Sequence, residues 1–338
     1  MSEIDQGRPA PGSSPSPPER VGLLARVLAR FPEQCHRPLV YESAYNIGNG
    51  AFYSLNLLTP VVLATAPLKG ATEDHVAIFW AAAHGSSIFS PLVGFGARFV
   101  PMKLLVVIPN ILAVLCLLGV AFRQGDPTWF TAALAASFVV RVFPRTGEMN
   151  MYRVLYPTSH RGAAVGLLKA IMAISVLTVV VAGYFWLNFD ASRYWMIYLA
   201  IAAALLISSF CYQAIPVRQQ DLLEMSGLVS PWSAFCNGMK VFLTDRRFLL
   251  YQIGFSFAGT ANHMVFWLVP YLCINDLSNV GVVKTRFISA MIPALLVTFS
   301  APLWGRFLDR HNPMIGRATF NLLQGIAFIL FAAGGLSD

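Results

Sequence analysis

The sequence predicts an all-α fold, a polytopic bundle of membrane-spanning helices. Three observations lead there. Of 338 residues, 56% are hydrophobic and only 12% charged, about half the charged share of a soluble domain. The apolar residues collect into runs of about 20 or more, the length a helix needs to cross a bilayer. The Lys and Arg residues crowd into alternate links between those runs, the pattern that sets orientation. The formal net charge of +8 then reads as an excess in cytoplasmic loops, and no nucleic-acid partner is expected.

The elements follow in chain order. Residues 1–19, "MSEIDQGRPAPGSSPSPPE", are rich in Pro, Ser and Gly and are expected to be disordered. In "RVGLLARVLARF", Leu24, Val27, Leu28 and Phe31 share one face of a short helix, with Arg26 and Arg30 largely opposite. Such a helix lies on an anionic membrane surface or packs on the bundle; both readings stay open. Residues 1–37 thus form a cytoplasmic tail with an amphipathic helix and membrane lipid as its partner. About nine spans follow, near 41–65, 74–97, 102–122, 128–150, 163–188, 194–216, 248–273, 286–308 and 314–335. The long link, 217–247, holds Arg218, Gln219, Gln220, Asp221 and Glu224, then Trp232, Phe235, Met239 and Phe242 at helical spacing. It reads as a polar linker plus an elbow helix at the interface. The N-terminus shows no short apolar core with a cleavage site, so the first span is expected to target the chain.

With the N-terminus inside, sixteen of the 24 Lys and Arg residues fall on the cytoplasmic side, from Arg8 to Arg317. Five fall outside: Lys69, Arg123, Arg193, Lys284 and Arg286. That split predicts a multi-pass protein of the cell membrane with a cytoplasmic N-terminus. The five cysteines, Cys35, Cys116, Cys211, Cys236 and Cys273, form neither a CxxC pair nor a Cys/His cluster. They are expected to be small buried thiols, with no metal or cofactor. There is no HExxH, no GxSxG, no pair of membrane aspartates and no phosphate-binding Gly-rich loop. An enzyme and a direct user of ATP are therefore not expected.

A repeat organises the chain. "SPLVGFGARFVP" at 90–101 resembles "APLWGRFLDRHNP" at 301–313. Pro91, Leu92 and Gly94 match Pro302, Leu303 and Gly305 at one offset, and Ala51 and Pro60 match Ala261 and Pro270 at nearly the same one. Two related parallel halves follow, a known plan for transporters: a six-helix bundle at 38–216, and helices 7–9 at 248–338. The run Gly305-x-x-x-Asp309-Arg310, at the link after the eighth span, resembles the G-x-x-x-D-R signature of the major facilitator superfamily. "YPTSHRGAAVG" at 156–166 resembles that family's link between helices 4 and 5, and "LTDRRF" at 243–248 its approach to helix 7. In the first-half copy Arg98 stands where Asp309 stands in the second. The family usually has twelve helices, so the resemblance implies a fragment or truncated product after helix 9, or else an unusual short form, with the fragment favoured.

The resemblance implies an inner gate. Gly305 and Gly94 would permit close helix approach. Asp309 would sit against the positive N-terminal end of a neighbouring helix, with Arg310 and Arg306 as gate or lipid-headgroup partners. Plain positive-inside anchoring accounts for Arg306 and Arg317 but not for Asp309.

Polar side chains at membrane depth tend to face a cavity. Tyr45, Asn49, Tyr53 and Asn56 recur along helix 1, Gln252, Ser256, Thr260 and His263 along helix 7, and Arg141, Arg145 and Glu148 along helix 4. Helices 3 and 6 look nearly featureless and lipid-exposed. The family resemblance implies the same division. Arg141 either binds an anionic substrate or governs a proton site, or pairs with Glu148 as structure. His84 and His263 read as hydrogen-bonded packing, Lys169 as snorkelling, and Glu42 as interfacial. The reading is a secondary transporter of a small organic solute, with an anion favoured by Arg141 and Arg145. It works by alternating access, with protons as the candidate coupling ion. The alternative is a bundle of the same kind that does not transport and serves as a sensor or interaction partner.

Overall fold

The computed structural model describes residues 23–65, 68, 70–89 and 100–217, then scattered positions from 233 to 257 and from 295 to 329. Among these, 298–307 and 309–310 are helical. Every regular element among the described residues is a helix. In order they are α1 (Leu23–Leu28), α2 (Glu33–Tyr53), α3 (Leu55–Thr65), α4 (Glu73–Gly85), α5 (Met102–Phe122), α6 (Pro127–Val140), α7 (Val142–Leu155), α8 (Thr158–Phe189) and α9 (Trp195–Gln213). Short 3-10 turns, Ser86–Phe89 and Ala191–Arg193, extend α4 and lead into α9.

Among the described residues, three helices are long and apolar enough to cross a membrane: Met102–Phe122, Thr158–Phe189, and Ala191–Gln213 with its leading turn. The first coincides with the predicted span at 102–122. The helix at the first predicted span opens earlier than expected. α2 opens at Glu33 behind Pro32, a residue suited to a helix entrance, so the boundary at 38 falls inside a helix. At Ser54 the chain makes a one-residue break before α3.

The predicted span at 128–150 is two helices, not one. Pro144 lacks the N–H that would bond the carbonyl of Val140, and its ring crowds that carbonyl. The helix stops at Val140 and restarts at Val142, with Arg141 at the joint (φ −72°, ψ −1°). The predicted spans at 248–273, 286–308 and 314–335 lie wholly or largely outside the described residues. So do Trp232, Phe235, Met239 and Phe242 of the elbow helix.

α2 is the hub. It packs against α8 and α9; α9 also packs on α5, and α5 on α6 and α7. Gly48 makes the α2–α9 crossing possible, because a Cβ there would collide with Ser208 and the Ala204 carbonyl. Two cores result. The one toward the Asp126 pole is aliphatic and aromatic: Phe52, Phe79, Phe130, Leu134, Phe138, Tyr198 and their neighbours. The other lies toward the Pro157 pole and includes Cys35, Leu39, Tyr45, Tyr152, Tyr156 and Tyr212. Leu28 and Phe31 lie against this second core, so at those two positions the bundle-packed reading of the first short helix describes the structure.

Helix 3 of the prediction, α5, does expose an apolar stripe of Ile108, Leu112 and Leu115. Its opposite face is packed, with Val106, Asn110, Ala113 and Leu117 buried, so it is not featureless. α9 likewise exposes Ile207 and Phe210 while burying Tyr198, Leu205 and Tyr212. Of the cysteines, Cys35 is buried and Cys116 and Cys211 are half-buried. Cys236 is exposed, which corrects its assignment as a buried thiol. Cys273 lies outside the described residues.

Candidate functional site: a buried polar belt and a carboxylate clasp

The helix 4 break puts Arg141 in the middle of the bundle, 3% exposed. Its guanidinium donates to Asn110 Oδ1 on α5 and to Asn49 Oδ1 on α2. It also lies over the Phe52 ring, 5.0 Å from its centroid, a cation–π geometry. The Nε has no partner. A buried guanidinium without a carboxylate is costly unless its N–H groups are satisfied. Here two amide oxygens and an aromatic face meet part of that need, and the Nε–H is left without a partner.

The expected Arg141–Glu148 pair is not what forms. Glu148 Oε1 instead accepts a hydrogen bond from the Tyr45 hydroxyl at 2.5 Å. Glu148 stays within electrostatic reach of Arg141, but the contact runs through amides on one side and a phenol on the other. Glu42 corrects the expectation more sharply. It is 0% exposed rather than interfacial, and its Oε2 accepts from the Tyr156 hydroxyl at 2.5 Å. Asn46 Nδ2 donates to the Glu42 carbonyl at 2.8 Å. Tyr45 stacks at a tilt on Tyr212, with ring centroids 4.6 Å apart.

Arg145 stands apart from this belt. It is exposed, its Nε donating to the Tyr53 hydroxyl and its other guanidinium nitrogen to Ser87 Oγ, both at 3.3 Å. Tyr53 and Asn56 are half-buried, whereas Tyr45 and Asn49 are buried inside the bundle. The single polar face expected for helix 1 therefore divides into an inward and a more open part. His84 stacks on Trp80 at 5.0 Å. Lys169 is half-buried, its Nζ 4.0 Å from Met172 Sδ.

The second arrangement is a clasp at the start of α8. Asp309 Oδ1 accepts from the Gly162 N–H at 2.6 Å, and Oδ2 from the Ala163 N–H at 2.7 Å. Gly162 and Ala163 are the fifth and sixth residues of α8, toward the positive end of its dipole, where a carboxylate is favoured. The approach depends on glycine twice. A Cβ on Gly305 would strike the Gly162 carbonyl, and a Cβ on Gly162 would strike the Gly305 carbonyl and the Asp309 carboxylate. One turn further on, a Cβ on Gly166 would strike the Ala301 carbonyl. Gly162-x-x-x-Gly166 thus crosses Ala301-x-x-x-Gly305, small residues letting two backbones meet. Arg161 closes the other side, donating to the carbonyls of Arg153 and Tyr156 at 3.2 Å each. Arg306 and Arg310 are exposed beside Asp309.

Asn110, Tyr156, Gly162 and Ala163 were not singled out from the sequence, and Glu42 was read as interfacial. The Gly162/Gly166 spacing and the lone Asn110 in an apolar run were the signals available. Gly94, Arg98, Gln252, Ser256, Thr260 and His263 lie outside the described residues. No family model matches the chain, and no curated protein matches it.

Proposed function

We propose that this chain belongs to a multi-pass cell-membrane transporter of the major facilitator type, with a cytoplasmic N-terminus, that moves a small organic solute by alternating access. The observation that carries the reading is the Asp309 clasp. Its carboxylate, from the segment with the G-x-x-x-D-R pattern, bridges to the amides of Gly162 and Ala163, within the motif that resembles the family's link between helices 4 and 5. Each charge-assisted bond of this kind contributes about 1.5–3 kcal/mol. Such a contact is strong enough to hold one state and weak enough to open in a cycle. The exposed Arg145, with only hydroxyl partners, favours an anionic solute. Arg141 and its amide partners, Asn49 and Asn110, would then set the depth of the path.

The test is uptake of a panel of organic carboxylates and phosphates by the purified chain in vesicles, with an inward proton gradient. The expected result is saturable uptake by the parent, reduced several-fold in Asp309→Asn and Arg141→Ala. If the well-folded parent moves nothing, the non-transporting alternative replaces this reading. If both variants carry solute like the parent, the clasp and the belt are not parts of the path.

A further inference from the structure

We propose that Glu42 is a proton-binding carboxyl buried among the helices α2, α7, α8 and α9, held in place by the Tyr156 phenol. This deepens the transport reading by naming protons as the coupling ion; it rests on that reading for their use, but not for their binding.

The argument is geometric. Glu42 is 0% exposed. One carboxyl oxygen has a single donor, the Tyr156 hydroxyl, and the other, Oε1, has no partner at all. A buried ionised carboxylate needs a contacting cation or several donors. Glu42 has neither. Among the described residues the ion pairs are Arg123–Asp126 and Arg193–Asp190, both at the opposite pole. A neutral Glu42 removes the difficulty: a bound proton converts the carboxylate to a carboxylic acid, whose carbonyl oxygen still accepts from Tyr156.

Glu148 has a different setting. It too receives one phenol, Tyr45, but the Arg141 charge reaches it. The groups around Glu42 come from every side of its pocket. α2 itself brings Cys35 and Tyr45, α7 and its cap bring Glu148, Tyr152 and Tyr156, α8 brings Lys169, and α9 brings Tyr212. Lys169 is the cation in range, and its Nζ rests on Met172 Sδ.

The deciding measurement is infrared difference spectroscopy of the full chain in lipid nanodiscs, stepped in pH with no solute present. The parent should show the carbonyl stretch of a buried protonated carboxyl at neutral pH, lost on alkalinisation. Glu42→Gln, which mimics the protonated side chain in shape and charge, should fold and lose that band. Tyr156→Phe should keep the band but shift it, because its hydrogen bond is gone. Absence of the band in the parent, its survival in Glu42→Gln, or an unmoved band in Tyr156→Phe each overturns the assignment. The band with no flux in vesicles leaves the proton site standing and sinks the transport reading. Flux without the band does the reverse.

Discussion

The two poles of the first bundle are built from the same helices by different physics. Toward Asp126, the core is Phe52 against Phe138 at 4.9 Å, Phe79 against Phe138 at 5.4 Å and Phe130 against Tyr198 at 5.2 Å. Toward Pro157, phenols face carboxyls, and Glu42, Asn46, Tyr152 and Tyr156 replace the phenylalanines. The first pole is held by shape and contact area, the second by a few hydrogen bonds that must all be satisfied. Arg141 marks the border, with Phe52 on one side and the amides of Asn49 and Asn110 on the other. A part that must repack or change charge is easier to build at the second pole, because moving a proton there changes the balance of the whole network. The aromatic pole offers no such handle and serves as the rigid part.

The contrast can be broken most strongly at the aromatic pole. Phe138→Ala leaves a cavity beside the Phe52 and Phe79 rings, and should cost about 3–5 kcal/mol of stability. Thermal unfolding in detergent, followed by tryptophan fluorescence, would read the loss. A stability unchanged from the parent would mean that the aromatic packing is not what holds this pole.

Next in size is the clasp at the other pole. Gly305→Val forces apart two backbones that touch, and so should break both Asp309 bonds. Loss of about 3 kcal/mol there corresponds to roughly a hundredfold faster amide exchange at Gly162 and Ala163. Hydrogen exchange read by mass spectrometry across 158–166 checks this, and unaltered exchange would show that the clasp does not protect the start of α8.

The smallest effect lies in the links that close the aromatic pole. Asp126 caps α6 by accepting from the Thr128 and Trp129 amides, each at 3.0 Å, and pairs with Arg123 at 3.0 Å. Chiefly the Trp129 amide bond, with Arg123, the Thr128 amide and His75 in support, holds its carboxyl below the ordinary value of 3.8. Its stabilisation is therefore fully present above pH 3.8 and is lost as the pH falls through the lower folded-state value. Asp126→Asn should lower the melting temperature slightly above about pH 4 and converge on the parent at more acid pH, so that the acid limb flattens. An acid limb identical to the parent's would remove Asp126 from the account. Asp190 follows the same rule, held down chiefly by the Ser192 hydroxyl.

Much of the helical plan was legible in the residues. Apolar run length placed α5 to the residue, and α8 and α9 to within a few residues, because a helix of that length needs only local information. The joint at Arg141 was half legible: Pro144 stands in the run, but that the helix ends four positions before it is seen only in the structure. The clasp was legible through Gly305 and Asp309, whereas its acceptor side, Gly162 and Ala163, was read only as part of a family-like link. The buried belt was the least legible. Glu42 looked interfacial because it opens an apolar run, and Asn110 vanished inside one.

What the sequence determined alone is what neighbours along the chain decide: which stretches are helical and apolar, where proline interrupts them, and which links carry the basic charge. What only the tertiary structure decided is who meets whom. Tyr156 reaches Glu42 across 114 residues, Arg141 reaches Asn49 across 92, and Asp309 reaches Gly162 across 147. No local pattern records such a meeting, since it depends on how closely helices cross. Here a few glycines set that distance, and burial then turns an ordinary carboxyl into one that must find a partner or a proton.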